Sequence, residues 1–197
     1  MDLSELLNSS MGQSIVRNVA GQLGMNEKEA SSAISTAMPA ILAGMTKNAQ
    51  TKEGAESLNK ALEKKHDGSL LDNLSSMLQG HAGELQHDGD GILAHVFGNK
   101  RSALEQGIAQ KVGISSGKAG SLLSTLAPIV MAYLGKEKRQ ANAGAGGLGD
   151  LLGGLLGSQQ GSSGGGVLGM LGNALDKDGD GNPLNDLLGG FLGGGKR

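Results

Sequence analysis

Asp176, Asp178, Asp180 and Asn182 recur at every second position in the run Asp176-Lys177-Asp178-Gly179-Asp180-Gly181-Asn182-Pro183-Leu184, and Asp186 follows shortly after. Alternate spacing turns oxygen ligands toward one centre, as in an EF-hand or dockerin-type loop around a hard cation, and Gly181 holds the sixth place, where such loops bend sharply. The twelfth place is Leu187 and not a bidentate Glu, and Asp186 falls one position short of it. The loop is therefore a candidate for weak Ca2+ binding, and Ca2+ is the one cofactor the sequence suggests. The same residues would also serve as an acidic turn capping a helix over 184–192.

Two more segments set Asp-Gly before an apolar run: His66-Asp67-Gly68-Ser69-Leu70-Leu71 and His87-Asp88-Gly89-Asp90-Gly91-Ile92-Leu93. Capping alone explains both, with Asp complementing a helix start and Gly making the turn. His81, His87 and His95 lie near Asp88 and Asp90, but without the spacing of a His-x-x-x-His pair or an HExxH helix they read as surface and capping residues. Residues 108–119 carry a helix-turn-helix-like spacing, with Ala109, Gly113, Ile114 and Ser115 at the motif's relative positions. A DNA reader needs polar and basic side chains on the following helix. Here that helix carries Leu122, Leu123, Leu126, Ile129 and Val130, its main cation is Lys118, and the matching segment upstream offers Glu27, Lys28 and Glu29. A DNA-binding regulator with degenerate helix-turn-helix units is thus the weakest of the three readings.

Catalysis finds little to work with. The chain has no Cys, which removes thiolate nucleophiles and Cys-ligated metals, and its three aromatics (Phe97, Tyr133, Phe191) cannot line a typical cofactor pocket or stack on single-stranded nucleic acid. No Ser/His/Asp order, phosphate loop or paired catalytic carboxylates stands out, so the sequence does not read as an enzyme with a small-molecule substrate. A formal net charge of -2 excludes a strongly basic coat for nucleic acid or anionic membrane.

The elements that must position these residues are helices. Residues 1–140 hold 16 Gly and residues 141–197 hold 20, so composition divides the chain into a helical domain and a Gly/Leu-rich tail. Within the domain, Val19-Ala20, Gly24-Met25, Ala30, Ser35-Thr36 and Pro39 match Ile108-Ala109, Gly113-Ile114, Ala119, Ser124-Thr125 and Pro128 at an offset of 89. Two similar three-helix units, 2–45 and 91–134, joined by an insert at 46–90, are expected to bury matching faces in a multihelical bundle.

In each unit a short apolar stripe comes first (Leu3, Leu6 and Leu7 in the upstream one). A helix ending at Gly24 or Gly113 follows, then one capped by Asn26 or Ser115. Pro39 and Pro128 should kink or restart that last helix, because Pro lacks the amide donor. The insert predicts a polar helix over 52–65 and an apolar one over 70–78.

In the tail, Leu148, Leu151, Leu152, Leu155 and Leu156 have helical spacing, as do Leu184, Leu187, Leu188, Phe191 and Leu192, with Leu168, Leu171 and Leu175 a weaker third set. Gly at the opposite positions costs about 1 kcal/mol per interior site relative to Ala, so these are short, marginal helices until the Leu face finds a partner. The partner is the protein's own domain, another copy or protein, or a membrane surface, the last disfavoured by the scarcity of Lys and Arg. A Gly/Ser linker over 159–166 should stay flexible. Asp2 and Glu5 at the N-terminus, with no apolar run of signal or spanning length, suggest a cytoplasmic protein.

The duplicated unit, Asp-Gly-Asp-Gly-Ile-Leu-Ala-His at 88–95, Gly113-Ile114-Ser115, Leu-Ala-Pro-Ile-Val at 126–130 and the tail's Asp-Lys-Asp-Gly-Asp-Gly together resemble the bacterial YidB-like family of unknown function. The resemblance implies an all-α bacterial protein and supplies no catalytic residues. The expectation is a structural or protein-interaction protein that associates with itself or another protein through its Leu-rich helices and tail. A weak calcium module is the alternative.

Overall fold

The computed structural model describes residues 8–144 and 147–157, and among these every regular element is helical. The helices are α1 (Ser10–Leu23), α2 (Glu27–Ala49), α3 (Lys52–Lys64), α4 (Ser69–Asp72), α5 (Leu74–Gly80), α6 (Ala82–Phe97), α7 (Arg101–Val112), α8 (Ser116–Gln140) and α9 (Leu148–Gly157), with one 3-10 turn at Gly98–Lys100.

Local chemistry sets most of the boundaries. Ser9 opens α1 by accepting the Gly12 amide at 3.1 Å. Gly24 closes it with φ +58°, a left-handed conformation that costs Gly nothing, and the Met25 amide turns back to the Ala20 carbonyl at 2.9 Å. Asn26 then forms a capping box with Glu29: each side chain takes the other's backbone amide, at 2.9 and 3.1 Å. The α7–α8 joint repeats the device, with Gly113 at φ +79°, the Ile114 amide on the Ala109 carbonyl at 3.0 Å, and the Ser115 hydroxyl accepting from Lys118. Lys118 also donates its ammonium to the Gly24 carbonyl at 3.3 Å, which ties one joint to the other.

The prolines do not restart their helices. Pro39 lies inside α2 and Pro128 inside α8. Each missing N–H deprives the carbonyl four residues back of its helical donor. Ser35, four before Pro39, is exposed, so water can serve its carbonyl, whereas Ser124, four before Pro128, is buried and faces α6.

The insert departs from expectation. Thr51 caps α3 through the Gly54 amide, as the polar helix requires. The apolar stretch expected over 70–78 is two short helices broken at Asn73. The Asp67 carboxylate accepts the Ser69 amide at 3.0 Å, a genuine cap. Asp88-Gly89-Asp90-Gly91, expected to be a turn of the same kind, instead lies in the middle of α6. Gly89 is present for close approach: a Cβ there would fall on the Ser124 carbonyl of α8 and stand 2.6 Å from the Ser124 carbonyl carbon.

α8 is the axis of the domain. It packs against α6, α2, α7, α4, α1 and α3, and every residue from Leu122 to Gly135 is buried. Leu122, Leu123 and Leu126 are fully shielded, each contributing about 1.5–3 kcal/mol by leaving water. The compact unit runs on to Leu156, beyond the change in composition at 140, because Leu148 and Leu152 of α9 join the same core with no exposed surface.

Candidate functional site

A concavity of about 430 Å³ opens between α6, α7 and α8. Gln86 and Asp90 enter it from α6, Arg101 and Glu105 from α7, and Ser116, Ser121 and Ser124 from α8. Arg101 holds the group together. Its Nε donates to Glu105 Oε1 at 2.7 Å, and one Nη donates to Asp90 Oδ1 at 2.6 Å and to Ser124 Oγ at 3.2 Å. The Ser124 hydroxyl approaches Asp90 Oδ1 at 2.6 Å and the Gly120 carbonyl at 3.0 Å.

The Ser124 hydroxyl, helped by Arg101, holds the Asp90 carboxyl below its ordinary pKa in spite of partial burial. Burial works against the Arg101 charge, but the hydrogen bonds and charges of Glu105 and Asp90 outweigh it and raise its pKa. A carboxylate with a lowered pKa is a weak base, and no His stands between Asp90 and Ser124 to activate the hydroxyl. The arrangement is suited to clamping three helices by charge-assisted hydrogen bonds.

A second polar cluster lies where the 65–68 loop meets α8. His66 is 4% exposed, with Nε2 3.5 Å from Asp88 Oδ2, and burial lowers its pKa against the pull of the Asp88 charge. Gly135 makes room for this loop, since a Cβ there would meet the His66 carbonyl. Lys138, also buried, donates to Glu63 at 2.7 Å and holds the Glu63 carboxyl below its usual range. Two other histidines are pinned singly along or beside α6: His81 to Glu84 at 3.0 Å, and His95 to Ser57 at 3.1 Å. His87 and His95 are eight residues apart on one helix, a rise of ~12 Å, too far to share an ion. No group of three or more His, Asp and Glu among the described residues is placed to hold a metal.

The third feature is apolar. α9 seats its Leu face on the domain: Leu148 and Leu152 are fully buried, Leu151 and Leu155 partly so. Leu155 borders a small pocket of about 10 Å³ with Met38 and Leu42 of α2 and Val130 and Tyr133 of α8. For these four leucines, of the three partners open to them in the sequence, the structure supplies the chain's own domain, and the Leu156 side chain lies outside the described ones.

The remaining predicted positions have different fates. Asp176, Asp178, Asp180, Asn182 and Asp186 of the candidate Ca2+ loop lie outside the described residues. So do Leu184, Leu187, Leu188, Phe191 and Leu192, the 159–166 linker and the Leu3, Leu6, Leu7 stripe. The helix in the DNA-reading position of the helix-turn-helix spacing is α8, whose apolar body is buried and whose Lys118 is engaged with Gly24. The Asp90–Arg101–Ser124 network had only one sequence signal, the i, i+4 spacing of Arg101 and Glu105. No described helix is long and apolar enough to cross a membrane.

Compared with known proteins, residues 5–137 match a family model described as a bacterial protein of unknown function, DUF937. No curated protein and no solved structure matches the chain.

Proposed function

The chain belongs to DUF937, a family of bacterial proteins of unknown function, and from that premise we propose that it is a non-enzymatic, cytoplasmic structural or interaction protein that self-associates through Leu-rich helices and its Gly/Leu tail. The observation that carries this reading is the seat of α9. A helix of Leu and Gly, marginal by itself, gains its stability by laying Leu148 and Leu152 into an apolar surface of the domain. A tail built from such helices is chemically matched to protein surfaces of this type.

The polar concavity supports the same reading, because Arg101, Asp90 and Ser124 are committed to one another and hold helices in place. The test is sedimentation velocity of the full chain over a wide concentration range, beside a chain ending at Gly157 that keeps α9. Concentration-dependent assembly of the full chain alone is the expected result. Identical monomeric behaviour of both would remove the self-association claim.

A further inference from the structure

The seat that receives α9 has a second matching segment in the same sequence. Residues 148–157 read Leu-Gly-Asp-Leu-Leu-Gly-Gly-Leu-Leu-Gly, and residues 184–193 read Leu-Asn-Asp-Leu-Leu-Gly-Gly-Phe-Leu-Gly. Leu184 and Leu188 stand where α9 has its fully buried Leu148 and Leu152. The two segments differ at only two places, and the seat accommodates both changes. Gly149 is exposed, and a Cβ there would meet nothing within 4 Å, so Asn185 fits. Leu155 leaves a pocket of about 10 Å³ beside Met38, Leu42, Val130 and Tyr133, and the larger ring of Phe191 would fill it. Asp186 matches Asp150, whose first-turn position complements the helix dipole.

We propose that this seat is a binding site for Gly/Leu helices of this pattern, and that residues 184–193 of a second copy of the chain are its second ligand. The proposal rests on the self-association reading and adds where the partner lands. One seat serves two matching segments, so each chain carries one Leu face more than it can seat. Exchange with a second copy keeps a leucine at both fully buried places and sets Phe191 where Leu155 stood, and reciprocal exchange closes with twofold symmetry, so the two links reinforce each other. The 26 residues 158–183 could span up to ~90 Å if fully extended, enough to reach a neighbouring molecule.

The test uses the full chain and a labelled peptide of residues 182–197, with binding followed by fluorescence anisotropy. Saturable binding is expected, weakened at least about tenfold by Leu188→Asp in the peptide and several-fold by Phe191→Ala. It should strengthen several-fold when the chain carries Leu152→Ala, which loosens the resident helix; Leu155→Ala at the rim serves if Leu152→Ala unfolds the chain. Leu188→Asp in the full chain should abolish concentration-dependent assembly in sedimentation velocity. Absence of peptide binding to the parent and to both loosened chains overturns the proposal, as does binding indifferent to Leu188→Asp. Assembly that survives Leu188→Asp also overturns it, while self-association through another surface stands. A parent chain that stays monomeric while the peptide binds assigns 184–193 to its own chain's seat, against the second-copy assignment.

Discussion

Replacing Gly89 with Ala should destabilise the protein by about 2–4 kcal/mol, although the same change in an open helix stabilises it. The position is in the middle of α6, where Ala is favoured over Gly by about 1 kcal/mol. Against that stands the new Cβ, which would overlap the Ser124 carbonyl oxygen and lie 2.6 Å from Ser124 C and 2.9 Å from Ser124 Cα. These are backbone atoms at the core of α8 and cannot swing aside. Restoring a contact of about 3.5–4 Å to that oxygen requires α6 and α8 to separate by ~2 Å, and a gap of that size forfeits about half or more of each affected contact.

The buried Leu85 and Leu93 of α6 are carried away with the backbone, at a cost of about 3–5 kcal/mol, the upper end of overpacking penalties and beyond. Subtracting the propensity gain leaves the stated net loss. Gly91→Ala is the internal control. It is two residues along the same helix, exposed, with nothing within 4 Å of its would-be Cβ, and should gain up to about 1 kcal/mol. Urea and thermal unfolding followed by circular dichroism should therefore shift in opposite directions, with Tm lowered by ~5–15 °C for Gly89→Ala and raised by ~2–4 °C for Gly91→Ala. Shifts of the same sign, or a Gly89→Ala chain as stable as the parent, would refute the close-approach argument.

Other outcomes follow from the same contacts. Arg101→Met leaves Asp90 and Glu105 without their shared donor and should cost about 1–2 kcal/mol after solvent screening, with Arg101→Lys recovering only part because one ammonium cannot copy the forked geometry; urea midpoints of the two variants check this. The folded Asp90 carboxyl has a lowered pKa, so its contribution is present above the ordinary carboxylate range and is lost as pH falls through the folded value; Asp90→Asn should flatten the acid limb of a stability–pH profile below pH ~4. His66 is held neutral by burial, so the unfolded chain takes the proton first; stability should fall as pH drops through about 6.5 and level off once the folded form protonates, a step that His66→Gln removes from the urea-midpoint profile. Leu152→Ala should cost about 2–4 kcal/mol and the half-buried Leu151→Ala clearly less; equal, negligible effects in urea unfolding would mean that α9 adds nothing to the domain.

By itself the sequence determined the helical class, the Gly24 and Gly113 terminations, the Asn26 and Ser115 caps and the Asp67 turn. These depend on interactions within a few residues, whose energetics travel with the local residue types. Local reading failed at Asp88–Gly91, where turn chemistry and helix were both locally admissible. The choice was made by α8, whose Ser124 carbonyl, freed by Pro128, comes so close that only Gly fits opposite. Pro39 and Pro128 admit a kink or a restart on local grounds, and the restart is the alternative the structure excludes: the proline penalty is local, but the packing that holds α2 and α8 continuous is not.

Tertiary structure alone decided the polar site. Asp90, Arg101 and Ser124 are separated by 11 and 23 residues along the chain and meet only because α6, α7 and α8 converge. It also decided the fate of the first tail leucines. Periodicity shows that a Leu face needs cover, but which surface covers it depends on the shape left by Met38, Leu42, Val130 and Tyr133, a surface assembled from helices nearly a hundred residues apart in sequence.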